Sequence, residues 1–296
     1  YEGFGSQTTG GSGQRVVHVT TLEDLDTTGT PIPGSLRAAV CTAGQDCYDL
    51  ELMTTPLSNV YVVFDVAGTI HLDTRLGLRG SNITIDGFGA PSPGVTILNR
   101  NDQTTGLVIG EGARNIVVQG LSFKGHYDEA DCSAADLVIH NCPPPSNYDK
   151  TILIDGDLYA VPDTSPAEQI VLGYNTFLNS SDSAGDIWGN VRNVTYAYNF
   201  WHHVFDAVVA SHHSDTPILS RTGISFDKNV FAKLTQRTPG IRGDNTDVDV
   251  VNNIVYEWAF FNGTLPSVGY ATIINGDPND SQGVNIINNY YHSDYR

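Results

Sequence analysis

Two groups of charged residues in this chain are spaced as chemistry would need them. The first is Gln236-Arg237-Thr238-Pro239-Gly240-Ile241-Arg242, which sets two arginines five residues apart around a proline and a glycine. The second is acidic: Asp155-Gly156-Asp157, followed by Asp182-Ser183-Ala184-Gly185-Asp186. A planar guanidinium binds a carboxylate through two parallel hydrogen bonds, so the arginines suit an anionic ligand. They equally suit salt bridges to Asp244 and Asp247 nearby. Converging carboxylates repel one another unless a hard cation lies among them, and calcium takes about 6–8 oxygen ligands. Asp155, Asp157, Asp182 and Asp186 are therefore candidate calcium ligands, with part of the shell open to a bound carboxylate. Taken singly, each is an ordinary solvated aspartate in a turn. The group is not an EF-hand, because the twelve-residue loop and its closing glutamate are missing.

The elements that must position these residues are short and strand-like. From Val60 onward, segments such as VYVVFDVAGTIHL, SNITIDGFGA, RNIVVQGLSF, EQIVLGYNTF, RNVTYAYNFW, TGISFDKNVF, DVDVVNNIVY and GVNIINNYY recur, separated by Asn, Gly or Asp. From residue 169 on they share a frame of asparagine followed two residues later by an aromatic: Asn175/Phe177, Asn199/Trp201 and Asn229/Phe231, continued at Asn252-Asn253 and Asn288-Asn289. Self-similarity at about 20–35 residues is the mark of a solenoid. Asparagine fixed in one frame predicts a ladder at one turn of a right-handed parallel β-helix. An antiparallel sandwich also spaces strands evenly, but its successive turns need not share chemistry. The reading is all-β, one domain over 1–296. A short N-terminal capping helix is expected over 35–43, with Ser35 as N-cap. The loops at 124–157 and 202–222 should gather on the binding face.

Composition narrows the function classes. The 296 residues carry 15 Lys+Arg against 33 Asp+Glu, a formal net charge of −18. Nucleic-acid binding needs a basic face, so it is not expected. No run of 18 apolar residues exists, so no membrane-spanning helix is expected either. The glycines of GSQTTGGSGQ precede no Gly-Lys-Ser/Thr and form no phosphate loop. The chain opens Tyr1-Glu2-Gly3-Phe4 with no basic, apolar leader, and a signal peptide is expected to have been removed. Four cysteines fall as two close pairs, Cys41/Cys47 and Cys132/Cys142. That spacing suits two local disulfides and a secreted, extracellular protein, with free thiols as the alternative. A monomer is expected. His202-His203 and His212-His213 lack the spacing of a zinc site, and Trp188 and Trp201 are either sugar platforms or buried rungs.

Taken together, these segments resemble the pectate lyase family, the extracellular β-helical polysaccharide lyases. GFGSQTTGGSGQRVVHVTTLEDL with PGSLRAAV is similar to that family's N-terminal segment and capping helix, and VVFDVAGTIHL, SNITIDGFGAPSPGVTI and ARNIVVQGLSF to its first coils. The likeness covers nearly the whole chain. It implies Ca²⁺ on Asp157, Asp182 and Asp186, with Asp155 beside them. It makes Arg237 the catalytic base and Arg242 the carboxylate-binding arginine. Ser183 stands where the family carries glycine. Asp206 stands where the family carries a substrate-binding lysine, which places it with Trp188 and His203 among the substrate-binding positions. Arg221 or Lys233 would be the substitute cation. The implied activity is calcium-dependent cleavage of pectate, an acidic polysaccharide, by β-elimination. Alternatives are a lyase on methyl-esterified pectin or another uronan, a β-helical hydrolase, and a non-catalytic calcium- and uronan-binding protein.

Overall fold

The computed structural model describes residues 1–41, 56–99, 105–126, 150–156, 165–211, 221–243, 245–258, 270–275 and 282–293. Through these the chain winds in coils of three short strands. One coil comprises Val191–Ala197, Phe200–His202 and Val209–Ser211. Each strand pairs in parallel with its counterparts in the coils before and after, as Thr195 does with Val171 and Ser225. Among the described residues this builds three parallel sheets. The first has nine strands, from Arg15–Val19 to Gln282–Ile287. The second has eight, from Gly68–Leu72 to Tyr290–His292. The third has seven, from Leu76–Leu78 to Ile273–Asn275. This is the expected all-β parallel helix. Alternate side chains point inward and meet their equivalents one coil on, so Ile83, Ile116, Ile170, Val194, Ile224 and Val248 form one fully buried row.

The asparagine frame forms the corner between the first and second sheets. The backbone N–H of Asn175 donates to Asn199 Oδ1 at 2.9 Å, Asn199 to Asn229 at 3.0 Å, Asn229 to Asn253 at 2.9 Å and Asn253 to Asn289 at 2.8 Å. Each Nδ2 donates to a strand carbonyl of the preceding coil, as Asn229 does to Tyr196 O at 2.9 Å. The residue before each rung (Tyr174, Tyr198, Lys228, Asn252 and Asn288) sits at a φ of 54–60°. The corner bends too sharply for the backbone to satisfy its own polar groups, so the side-chain amides satisfy them. Two residues past Asn175, Asn199 and Asn229 an aromatic points inward, and Phe123 continues the row into the preceding coil. Phe123, Phe177, Trp201 and Phe231 stack at centroid spacings of 5.4, 4.8 and 4.5 Å. Trp201 is thus a buried rung and not a sugar platform.

The capping helix is shorter than expected, at Leu36–Val40, with Ser35 Oγ accepting from Ala38 N at 3.0 Å. Leu36, Ala39 and Val40 join the core. Buried Arg37 ties the helix down through a two-pronged bond to Asp24 and bonds to the carbonyls of Thr74 and Arg75. The glycine-rich opening crosses the outer face of the first sheet. Gly11 N donates to Thr84 Oγ1, and a Cβ on Gly11 would sit 1.9 Å from Val60 O, so only glycine fits. Cys41 is disulfide-bonded; Cys47, Cys132 and Cys142 lie outside the described residues. No helix among the described residues is long and apolar enough to cross a membrane.

Candidate active site on the third sheet

The outward row of the third sheet is made of unlike residues, whereas its inward row is aliphatic. Strand alternation turns Ile152, Ile154, Ile187, Ala210 and Ile241 into the core. It leaves Asp155, Asp186, Trp188, Ser211, Gly240 and Arg242 on the other side. Parallel pairing sets Asp155 beside Trp188, Trp188 beside Ser211, and Arg242 beside Asn275. The turns entering these strands are also in register, with Ser183 against Asp206 and Asp206 against Gln236. Consecutive coils therefore stack segments that lie 23–33 residues apart, and the two groups singled out from the sequence sit two coils from each other on this face.

Arg237 lies over this face because of its neighbours. Its backbone is left-handed, with a φ of 60°. A Cβ on Gly240 would meet Arg237 Cγ at 3.1 Å and Cβ at 3.2 Å, so the glycine is the floor on which the arginine stem rests. Its Nη1 donates to Asp206 Oδ2 at 2.6 Å. Asp206 was expected among the substrate-binding positions; its side chain is 2% exposed and is paired with Arg237. Burial pushes the Asp206 carboxyl up to about 7, against the pull of Arg237 and with Asp182 adding to the rise. A carboxyl raised in the folded state favours folding when protonated. Its contribution is therefore complete below the ordinary value of 3.8 and is lost as pH rises through about 7. Asp206→Asn should flatten that slope: between acid and neutral pH the native protein should lose of order 3 kcal/mol relative to the variant, read by denaturant titration.

His203 was also expected among the substrate-binding positions. It is 8% exposed, and its Nδ1 lies 2.6 Å from His202 Nδ1. Burial, then His202 and Lys233, push it down to about 3, so it is neutral and turned toward its neighbour. Trp188 is half-buried, with Nε1 donating to Asp186 Oδ2 at 3.0 Å. Arg242 lies at the third-sheet face with its side chain partly exposed.

The acidic group holds a cation that sequence reading missed. Lys150 Nζ donates to Asp182 Oδ2 at 2.5 Å and to Asp186 Oδ2 at 2.8 Å, and lies 5.9 Å from the Trp188 ring. Burial works against the ammonium, but Asp186 and Asp182 outweigh it and hold its pKa above the ordinary lysine value. Asp186 is spent on both oxygens, since Oδ1 also accepts from Val209 N at 2.8 Å. Asp155 is buried one strand away, and Asp157 lies outside the described residues. Among the described residues no three His, Cys, Asp or Glu are grouped closely enough to hold a metal ion. Among the described residues the expected calcium shell does not fit, because a lysine fills the gap between the Asp182 and Asp186 carboxylates. The available signal was that Lys150 is one of only four lysines in an acidic chain and directly precedes the strand TILID.

A cavity of about 530 Å³ lies elsewhere, at the corner of the first and second sheets, lined by Tyr1, Glu2, Phe88, Gln119, Tyr174 and Tyr198. Its tyrosines stack face to face at 4.7 Å, with Phe88 against one end of the stack and the Lys228 ammonium over the other.

No family model matches the chain. It is 24% identical over 261 residues to a probable pectate lyase C of Emericella nidulans, an alignment covering 87% of this chain. The chain spans about half of that relative, 47% of its length. Among solved structures it superposes on Jun a 1, the major cedar pollen allergen, with a TM-score of 0.57 and 18% identity over 99% of this chain and 83% of that one. A substituted pectate lyase from Xanthomonas campestris gives 0.56 and 15% over 98% and 82%. A pectate lyase from Bacillus sp. N165, in complex with trigalacturonate, gives 0.50 and 15% over 98% and 87%. The chain has the parallel β-helix fold of the pectate lyases.

Proposed function

We propose that this protein is a secreted polysaccharide lyase that cleaves a galacturonan-type acidic polysaccharide by β-elimination. The observation that carries this reading is the placement of Arg237, Arg242, Lys150 and Trp188 on the outward side of one sheet. Cations on that face receive the uronate carboxylate, and Arg242 suits it through its planar fork. Drawing charge into the carboxylate acidifies the C5 proton. Arg237 first passes its Nη1 proton to Asp206; the neutral guanidine then takes the C5 proton, the electron pair left on C5 forms the C4–C5 double bond, and the C4–O bond breaks with its pair leaving on the glycosidic oxygen. An arginine is a poor base because its ordinary pKa exceeds about 12. Asp206 gives the dyad a second place for a proton, since its own affinity is already raised. No step is assigned to a metal ion. The disulfide at Cys41 supports an extracellular setting.

One observation favours a second substrate. Lys150, Asp182 and Asp186 together carry one negative charge, which disfavours a free uronate and suits its methyl ester. Both readings meet the same assay. Incubation with polygalacturonate and with methyl-esterified pectin should generate the ultraviolet absorbance of an unsaturated uronide, and the faster substrate names the preference. New reducing ends without absorbance would make the protein a hydrolase. Binding without any product would make it a non-catalytic uronan-binding protein.

A further inference from the structure

We propose that the Lys150 ammonium is the resident cation of this site, holding the position between Asp182 and Asp186 that the resemblance gives to calcium, with one N–H left for an oxygen of the saccharide. The placement of the cation stands on the geometry alone, while its contact with saccharide rests on the lyase reading.

Three features fix the ammonium there. Lys150 starts a strand whose backbone is paired with Thr105 on one side, and whose next turn of register meets Gly185 and Asp186 on the other. Its stem therefore enters the acidic group from a fixed point. Asp186 is 1% exposed and anchored by Val209 N and Trp188 Nε1, so it cannot swing to another cation without leaving those donors unpaired. The Trp188 ring closes one side at 5.9 Å. An ammonium has three donors. Two are used on Asp182 and Asp186, which leaves one N–H on a side chain that is 20% exposed. A calcium ion entering here would set two positive charges beside the ammonium and would find only two carboxylates of the described residues, far short of about 6–8 oxygens. It would have to expel the lysine first.

The consequence is a site whose cation is covalently part of the chain and is always present. Calcium chloride titrated into the native protein should give no binding heat below millimolar calcium, and a chelator should leave the thermal midpoint unchanged. Lys150→Met removes the competing charge, so calcium should bind the variant about tenfold tighter or more and raise its midpoint. Adding Asp182→Asn to that variant should abolish the gain. Calcium uptake by the native protein as tight as by Lys150→Met would overturn the proposal. Should Lys150→Met not fold, the native titration and Lys150→Arg decide: a midpoint in either that falls on chelation overturns it, and unchanged midpoints support it. Lyase assays in chelator separate the two claims. A native protein that refuses calcium yet cleaves no uronan refutes the proposed function and leaves the cation assignment standing, whereas cleavage that requires calcium refutes the assignment itself.

Discussion

Replacing Arg237 by alanine should lower turnover on an acidic polysaccharide by about 10³-fold, since it removes both the proton acceptor and a charge at the reacting centre. The same change withdraws the partner of Asp206, which is 2% exposed on its side chain. Breaking a buried pair from one side should cost about 3 kcal/mol at alkaline pH, where the abandoned carboxyl must ionise. The two effects are separable. Arg237→Ala combined with Asp206→Asn should recover most of the stability and none of the activity. Activity returning in the double variant would mean that Arg237 serves only to neutralise Asp206. Gly240→Ala supplies an independent reading, because its methyl would press on the Arg237 stem at 3.1–3.2 Å. A guanidinium shifted by a fraction of an ångström should lose about tenfold in kcat with the fold intact.

Asn229→Ala should be the most damaging single change to the ladder. This side chain is 1% exposed and makes four bonds: Nδ2 to Tyr196 O and to Asn253 Oδ1, and Oδ1 from both Asn199 N and Asn199 Nδ2. Alanine leaves at least Tyr196 O and Asn199 N–H buried without partners, at about 1–3 kcal/mol each, so a loss of about 4 kcal/mol is expected. Asn289→Ala, on the terminal and partly exposed rung, should cost about 1 kcal/mol, because water can replace what is lost there. Denaturant midpoints of the two variants give the comparison. Equal losses would show that the ladder is not the element holding the coils in register.

Much of the architecture was readable in the chain because its cause repeats there. The frame Asn175, Asn199, Asn229, Asn253 and Asn289 is periodic, since each rung must hydrogen-bond to the next, and the aromatics two residues past Asn175, Asn199 and Asn229 recur because each ring stacks on the next. Ser35 was legible as a cap because capping is local. The Arg37–Asp24 pair was not, although it anchors the same helix, because its other partners, the carbonyls of Thr74 and Arg75, come from the next coil. Asn82 and Asn193 lie outside that frame; each adopts a left-handed backbone within a strand, at a φ of 57° and 54°, which asparagine tolerates.

The site divides along the same line. Arg237, Arg242, Asp182 and Asp186 stood out in the sequence because unusual charges were closely spaced, and the coils do bring them to one sheet. Lys150 lies 32 and 36 residues from Asp182 and Asp186, and Asp206 lies 31 from Arg237. Coil length varies too much for such separations to announce a contact. The sequence by itself determined the repeating coil and the types of residue offered to its outer face. Only the tertiary structure decided which charges meet: that Asp206 is paired with Arg237, and that the cation between two aspartates is a lysine. Pairing between charges depends on burial and on a few ångströms of side-chain reach, and neither is written in the order of residues along the chain.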